Sequence, residues 1–415
     1  MGECISRRGL VASVGLAVTS MGLSSCGNAE ETGSDGVEDA MIVEAAGSNE
    51  SVKMQTEAGP AKTLAQTTLE KMTLEQKVAQ LFIVTPEQLT GVSVATAAGD
   101  MTREALEAMP VGGLCYFAQN IVGADQLRGM LANTSQFGSA AGAGVPPFLT
   151  VDEEGGPLVA RVANSGCFDV ETFPNMAEVG ASGDDAKAAY VGTSIGAYLH
   201  DIGFNVDFAP DADVLTNPDN KVIGPRAFSS DPDVVSAMVS AEVGAMLQTG
   251  TLPCIKHFPG HGDTEGDLHT GAVYATRTRE QIEGCEYKPF EAGIAAGCPL
   301  VMVGHIETPN LAGDGLPASL SKTMMTDELR GNLGFEGVIV SDSFAMGAIT
   351  ESYGSADAAV RFIEAGGDVI LMPENLQAAY QGILDAVNAG SISEERIDES
   401  VARILAAKEA AGILA

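Results

Sequence analysis

The sequence LPCIKHFPGHGDTEGDLH, residues 252–269, joins a short apolar run to a loop that is crowded with polar and titratable side chains. The apolar run, residues 252–255, is typical of a buried strand. The loop from Lys256 to His269 carries three of the chain's five histidines and is punctuated by glycines. Enzymes of the α/β class keep their chemistry on loops that leave the ends of strands. This stretch therefore predicts an α/β fold with functional groups directly behind a strand.

The pattern of a short apolar run followed by helical periodicity occurs eight times along the chain. The runs lie at residues 81–84, 113–117, 148–151, 205–209, 252–256, 300–304, 338–341 and 369–372. Runs so short and so continuously apolar suit strands that are buried on both faces of a parallel sheet. Amphipathic stretches predict helices between them, at residues 184–201, 233–249, 278–296 and 323–333.

Eight β/α units predict a single TIM-like (β/α)8 barrel over residues 62–415. An open eight-stranded α/β sheet is the alternative, but no Gly-x-Gly-x-x-Gly motif follows the first run to favour a dinucleotide-binding fold. A barrel should gather its functional groups where the strands end. Polar residues do stand at the ends of the runs, namely Asp152, Asp207, Asp211, Lys256, His257, His305 and Asp342.

Residues 1–25 are predicted to be a signal peptide and not part of the fold. Arg7 and Arg8 precede an apolar run at residues 10–23, which is too short to span a bilayer comfortably. An uncleaved apolar anchor is the alternative interpretation of this run.

The apolar run ends in Leu-Ser-Ser-Cys-Gly, residues 23–27, which resembles a bacterial lipobox with Cys26 as the lipidated residue. A cysteine that stands there by chance is the alternative. Residues 26–60 are rich in Glu, Asp, Gly, Ser and Ala, which predicts a disordered acidic tether. We therefore expect the protein on the extracytoplasmic side of the cell membrane, where a lipid would hold it.

The formal net charge of -34 limits the possible partners. An acidic surface repels phosphate backbones, which argues against nucleic-acid binding. The chain has no Trp and only 5% aromatic residues, so a small polar pocket is favoured over a long groove that stacks many sugar rings. The cysteines beyond the tether predict neither a disulfide framework nor a zinc site, because no two of them have Cys-x-x-Cys spacing: Cys115, Cys167, Cys254, Cys285 and Cys298.

Asp342 and the pair Asp267 and His269 are the candidates for catalysis. A carboxylate at a strand end, such as Asp342, can act as a nucleophile or can instead cap the following helix. Asp267 and His269 are two residues apart, so in an extended segment both side chains project to the same side. The Asp would then bind one ring nitrogen and leave the other to transfer a proton. A solvated loop histidine without a function is the alternative.

His257 and His261 have the i, i+4 spacing of a zinc pair. Pro259 and Gly260 between them forbid the helix that this spacing requires, so metal binding is the second choice for this cluster. Lys256 and His257 suit the donation of hydrogen bonds to a polyhydroxylated ligand. We expect neither a metal nor a cofactor.

Several ordered motifs resemble glycoside hydrolase family 3, in particular its bacterial β-N-acetylglucosaminidases. The resemblance extends from about residue 64 to the C-terminus. It rests on VDEEGG at 151–156, IGPRAF at 223–228, the loop at 256–269, ASLS at 318–321, LGFEGVIVSD at 333–342 and AGGD at 365–368. The family's usual fold is a (β/α)8 barrel, which agrees with the strand count.

The resemblance implies roles for individual residues. Asp342 would be the nucleophile that forms a covalent glycosyl-enzyme, His269 the general acid/base and Asp267 its partner. The terminal sugar would bind to Asp152, Arg161, Arg226, Lys256 and His257. The sequence departs from the family pattern at Leu268, where Ser is more common. It departs again before Arg161, where four residues follow Gly156 instead of three.

The activity implied is that of a retaining exo-β-N-acetylglucosaminidase. Together with export and a lipid anchor, it implies terminal N-acetylglucosamine of peptidoglycan-derived muropeptides or of chitooligosaccharides as the substrate. The alternatives are a β-glucosidase or β-xylosidase of the same family, a phosphorolytic variant, and a non-catalytic glycan-binding surface lipoprotein. The Asp-x-His loop favours the acetamido sugar, and competent residues at every catalytic position favour an enzyme.

Overall fold

The computed structural model describes residues 62–264, 271 and 273–415. Within these residues, eight parallel strands form a closed barrel: β1 Phe82–Val84, β2 Gly113–Cys115, β3 Phe148–Val151, β4 Val206–Asp207, β5 Leu252–Phe258, β6 Leu300–Val303, β7 Val338–Ser343 and β8 Val369–Leu371. Each strand pairs with its neighbours in chain order, and β8 pairs with β1 to close the ring, with Phe82 opposite Ile370. The closed ring confirms the predicted (β/α)8 barrel and excludes the open sheet.

Helices surround the barrel and connect its strands. They are α1 Leu64–Leu69, α2 Leu74–Gln80, α3 Pro86–Thr90, α4 Asp100–Ala108, α5 Ala124–Ala140, α6 Met176–Ala181, α7 Asp185–Ile202, α8 Pro232–Leu247, α9 Arg279–Gly284, α10 Tyr287–Ala295, α11 Gly347–Thr350, α12 Ser355–Glu364, α13 Leu376–Ala389 and α14 Glu394–Ala410. A π-type helix covers Thr323–Asn332. No helix in the described part of the chain is both long enough and apolar enough to cross a membrane.

Two short strand pairs lie outside the barrel. Glu153–Gly155 and Val159–Ala160 form an antiparallel hairpin directly after β3. Val273–Tyr274 and Ile306–Glu307 form a parallel pair that follows β5 and β6. Both pairs extend the barrel at the carboxyl ends of its strands, where the candidate site lies.

Local capping sets the ends of many helices. Before α2, the Thr73 hydroxyl accepts the Gln76 N–H at 3.3 Å while the Gln76 side chain accepts the Thr73 N–H at 3.1 Å, which is a capping box. The helix α7 is terminated by Gly203, the residue after its last turn. The φ of Gly203 is 118°, in the left-handed region that residues with a side chain rarely adopt.

The predicted helix at residues 278–296 is wrong in one respect, because the chain forms two helices there, α9 and α10. The break falls at Cys285 and Glu286. In a continuous helix the ring of Pro289 would clash with the carbonyl of Cys285, four residues earlier. In α10, Pro289 stands in the first turn, where a missing N–H costs nothing.

The amino ends of the strands carry a buried ionic cluster around Asp368, the last residue of the AGGD motif. This fully buried carboxylate accepts hydrogen bonds from the Ile339 N–H at 2.9 Å and from the Ser400 hydroxyl at 2.6 Å. It also pairs with Arg330 and, at 3.1 Å, with Arg403. Polar residues at this end of a TIM barrel serve stability, so this motif has a structural role.

Replacing Asp368 is expected to destabilise the fold. In Asp368→Asn, the half-buried guanidinium groups of Arg330 and Arg403 lose their fully buried carboxylate partner, and breaking a buried ion pair costs up to about 3–5 kcal/mol. Denaturant unfolding measures the change. The control is Asp357→Asn, which removes an exposed i, i+4 partner of Arg361 and should cost less than about 0.5 kcal/mol. Equal, small losses in both variants would contradict a structural role for Asp368.

Candidate active site

A cavity of about 420 Å³ lies at the carboxyl ends of the barrel strands. Its lining includes six residues that the sequence predicted for the site: Asp152, Arg161, Arg226, Lys256, His257 and Asp342. The apolar part of the lining includes Cys115, Phe117, Met302, Met346 and Met372. The predicted pair Asp267 and His269 lies outside the described residues.

Lys256 stands inside β5 with only 2% of its surface exposed. Its ammonium group lies 2.7 Å from Asp152 and 2.6 Å from Glu154. Burial alone would lower the pKa of Lys256, but the two carboxylates outweigh it and raise the pKa above its ordinary value. The side chain therefore stays protonated, and it ties β5 to the end of β3 and to the hairpin.

Glu154 links two cations of the cavity, the buried Lys256 and the half-buried Arg226. Arg226, from the 3-10 turn Gly224–Arg226, donates two hydrogen bonds to it at 2.8 Å each. Burial would raise the pKa of Glu154, but Arg226 and Lys256 lower it well below its usual range. Sequence reasoning assigned no role to Glu154. Its position two residues after Asp152 in an extended segment was the available signal, because such residues project to the same side.

Asp213 fixes the orientation of His257. Its carboxylate lies 2.7 Å from His257 Nδ1 and also accepts the backbone N–H of His261 at 2.6 Å. Burial would raise the pKa of Asp213, but His257, His261 and that N–H lower it, so the carboxylate is ionised and only accepts. Nδ1 of His257 must therefore carry the ring proton. Asp213 was missed from sequence, where only Asp207 and Asp211 of that segment were noted.

Asp342, at the end of β7, is the carboxylate that is left available. Its Oδ1 accepts the Ser343 N–H at 2.7 Å, and no Lys or Arg of the described residues forms an ion pair with it. Burial would raise the pKa of Asp342, but His305, His257, the Ser343 N–H and Lys256 together lower it. The group is therefore an ionised carboxylate with free lone pairs at the cavity wall, as a nucleophile requires.

Arg161 reaches the cavity although the sequence has one more residue before it than the family pattern. Arg161 directly follows the hairpin strand Val159–Ala160, and its side chain is part of the cavity lining. The Arg161 guanidinium lies 5.8 Å from the centre of the Phe117 ring, and its backbone N–H donates to the Asp152 carbonyl at 3.4 Å.

Three of the polar residues at strand ends do not line the cavity. Asp207 accepts the Glu153 N–H at 2.9 Å, and Asp211 accepts the Asp213 N–H at 2.9 Å. Burial raises the pKa of both carboxyl groups. His305 bonds to Ser319 at 2.7 Å and to the Ser343 carbonyl at 2.9 Å. These three residues support the chain segments behind the cavity, so a strand-end position alone did not identify cavity residues.

A possible metal-ligand set exists in the described residues. Ligand atoms of Asp211, Asp213 and His257 lie within 4.8 Å of one another. However, the Asp213 carboxylate is already bonded to His257 and to backbone N–H groups, and Arg226 Nε lies 3.6 Å from Asp211. This donor set fits a hydrogen-bonded network better than a divalent cation. His261, the other half of the zinc pair considered from sequence, is not in the set.

Both ends of the loop behind β5 are fixed at the carboxyl end of the barrel. On one side, the Asn220 amide donates to the His261 carbonyl at 2.8 Å and the Asn217 amide donates to the Thr264 carbonyl at 3.1 Å. On the other side, Val273–Tyr274 pairs with Ile306–Glu307. Residues 265–270 and 272, between these anchors, lie outside the described part of the chain.

Asp213→Asn is expected to remove the tautomer preference of His257. An amide offers His257 Nδ1 either an oxygen or an N–H, so the ring proton is no longer held on Nδ1. Long-range ¹H–¹⁵N spectra of histidine-labelled protein report the tautomer. The control is Asp211→Asn, because Asp211 has no hydrogen bond to that ring among the described residues. A His257 ring that keeps its Nδ1 proton in Asp213→Asn would refute this assignment.

Comparisons with known proteins match most of the chain. The family model for the glycosyl hydrolase family 3 N terminal domain matches residues 73–407. Beta-hexosaminidase A of Pseudoalteromonas piscicida is 32% identical over 324 residues, which are 72% of this chain and 54% of that protein. Beta-hexosaminidase LpqI of Mycobacterium tuberculosis is 34% identical over 277 residues, covering 65% of this chain and 70% of the relative. This chain thus spans about half the length of the first relative.

A solved structure gives the same result for the fold. The glycoside hydrolase family 3 beta-N-acetylglucosaminidase from Paenibacillus sp. str. FPU-7 superposes with a TM-score of 0.77 at 36% identity, covering 83% of this chain and 64% of the other.

Proposed function

The chain belongs to glycosyl hydrolase family 3, and from that membership and the geometry of the cavity we propose that it is a retaining exo-β-N-acetylglucosaminidase. The observation that carries the proposal is the ionised Asp342 in a cavity whose other described carboxylates, Asp152 and Glu154, are paired with cations. The volume of about 420 Å³ lies within the range of pockets for small ligands. It suits a single terminal sugar unit.

The polar lining supports recognition of a polyhydroxylated ligand. Lys256, Arg226 and Arg161 offer N–H donors, and Asp152 offers a carboxylate acceptor. Because ion pairs already hold Lys256 and Arg226, these donors are oriented before the sugar arrives, which reduces the ordering cost of binding. The same residues are the ones that the family resemblance implies for the terminal sugar.

The reaction follows a double displacement. In the first step an Asp342 oxygen attacks the anomeric carbon, the bond from that carbon to the leaving oxygen breaks, and His269 donates a proton to the leaving oxygen. In the second step water attacks the anomeric carbon, His269 accepts the water's proton, and the bond to Asp342 breaks. Two inversions give retention. His269 and its partner Asp267 enter from the sequence resemblance.

A histidine as acid/base suits this charge distribution. Most glycosidases pair two carboxylates, but a second free carboxylate beside Asp342 would add negative charge next to one that is already ionised. A neutral imidazole adds none. It can also donate and then accept a proton near neutral pH, because its ordinary pKa is about 6.5.

Asp342→Asn should reduce kcat for an aryl β-N-acetylglucosaminide by roughly 10³-fold or more, because an amide is a poor nucleophile.

His269→Ala should reduce kcat for the same substrate by about 10²–10⁴-fold. The loss should be smaller with a dinitrophenyl leaving group, which departs without a proton. The control is His200→Ala, in the last turn of α7 and exposed. Wild-type turnover in Asp342→Asn would remove the mechanism, and hydrolysis of aryl glucosides or xylosides alone would change the sugar.

We further propose that the enzyme is lipidated at Cys26 and acts on cell-wall muropeptides with terminal N-acetylglucosamine. The lipobox-like sequence and the acidic tether support this, although residues 1–61 lie outside the described part of the chain. Cys26→Ser should move the activity from the membrane fraction to the soluble fraction without changing kcat. Purified muropeptides should release free N-acetylglucosamine. Unchanged membrane association of Cys26→Ser would contradict the anchor, and intact muropeptides would contradict the substrate.

A further inference from the structure

His261 is a buried cavity residue that has no role in the mechanism above. It follows β5 by three residues, lines the cavity, and is only 1% exposed. Its ring stands at a steep angle to the His257 ring, with 5.9 Å between the ring centres. The Nε2 atom of His261 has no hydrogen-bond partner among the described residues. An unpartnered polar atom at a cavity wall is a candidate contact for a ligand.

The hydrogen bonds around Thr264 determine which nitrogen of His261 carries the proton. The Thr264 hydroxyl oxygen lies 2.8 Å from the His261 carbonyl oxygen and 2.6 Å from His261 Nδ1. A carbonyl oxygen only accepts, so the single hydroxyl hydrogen points to it. The Nδ1 atom must then donate its own hydrogen to the hydroxyl oxygen. In the neutral ring, Nε2 is consequently a lone-pair acceptor.

The ring is also expected to remain neutral. Burial lowers the pKa of His261 and outweighs the nearby Asp213 carboxylate, which would raise it. The cavity therefore contains a neutral acceptor whose tautomer is fixed before any ligand binds.

Most other acceptors of the cavity are already occupied. Asp152 and Glu154 are bonded to Lys256 and Arg226. A buried acceptor without a partner costs about 1–3 kcal/mol relative to a satisfied one. A ligand that brings an N–H or O–H to His261 Nε2 removes this cost, so the site favours a ligand with a donor at that position.

We propose that His261 contacts the substrate directly, with Nε2 accepting a hydrogen bond from an O–H or an amide N–H of the sugar in the cavity. The proposal rests on the proposed function, because it assumes that a sugar occupies the cavity. His261 would then contribute to the affinity for the sugar and to the choice of sugar.

The decisive variant is His261→Asn. The shorter amide can still donate to Thr264 from the position of Nδ1, but it has no atom at the position of Nε2. The dissociation constant of N-acetylglucosamine, measured by calorimetry, should rise by roughly 10- to 100-fold, and kcat/KM on the aryl glycoside should fall by a similar factor. His261→Gln, whose amide oxygen can reach the position of Nε2, should restore part of both.

Asn217→Ala is the matched control. The Asn217 amide donates to the Thr264 carbonyl at 3.1 Å, so its removal loosens the same turn without altering Nε2. Wild-type affinity in a folded His261→Asn would overturn the proposal. So would an equal loss in Asn217→Ala, or a His261→Gln variant as weak as His261→Asn, because the effect would then come from anchoring of the turn. If His261→Asn does not fold, His261→Gln against His261→Phe provides the same comparison.

A comparison of two aryl glycosides identifies which group of the sugar donates the hydrogen bond to His261. A loss that is larger on the aryl N-acetylglucosaminide than on the aryl glucoside assigns the contact to the amide N–H. Equal losses on both assign it to a hydroxyl group shared by the two sugars. Failure of the proposed function is separable, because a wild type that binds N-acetylglucosamine without hydrolysing any glycoside refutes the activity while calorimetry still tests His261.

Discussion

A buried ammonium group organises the candidate active site. Lys256 is 2% exposed, and its charge is balanced by Asp152 and Glu154 at 2.7 and 2.6 Å. A charge this deep is tolerated only when it is paired and hydrogen-bonded. The end of β3, the hairpin that follows it and β5 must therefore keep their relative positions. Because Glu154 also pairs with Arg226, the turn that carries Arg226 is held in place as well. The cavity walls take their positions from this network.

The network also separates the carboxylates of the site by role. Asp152 and Glu154 are held by cations, and Asp213 is held by His257 and backbone N–H groups. Asp342 keeps only the N–H of the next residue as a hydrogen-bond donor among the described residues, yet its pKa stays below the ordinary value. Among the site carboxylates that the structure describes, the one that is both ionised and uncommitted is thus Asp342 at the end of β7, where the covalent chemistry is proposed.

Much of the fold was predictable because barrel strands are short apolar runs with a strong pattern, and all eight were found. The break before α10 was not predicted, because hydrophobic periodicity takes no account of the clash that Pro289 would make in a continuous helix. In the site, motif residues such as Lys256 and Asp342 were identified, but Glu154 and Asp213 were not. Both are ordinary acidic residues in a chain with 56 of them, and their significance lies in partners distant in sequence. The acceptor state of His261 depends on the hydroxyl of nearby Thr264, whose contacts with the carbonyl and the ring of His261 are not evident from the sequence.

The central claim is that Asp342 forms a covalent bond to the sugar, and trapping that intermediate tests it most directly. Incubation with an activated fluorinated N-acetylglucosaminyl donor, followed by peptide mapping with mass spectrometry, should add one sugar mass to the peptide that contains Asp342. The same treatment should leave Asp342→Asn unlabelled. An adduct on another carboxylate, or equal labelling of Asp342→Asn, would contradict the account.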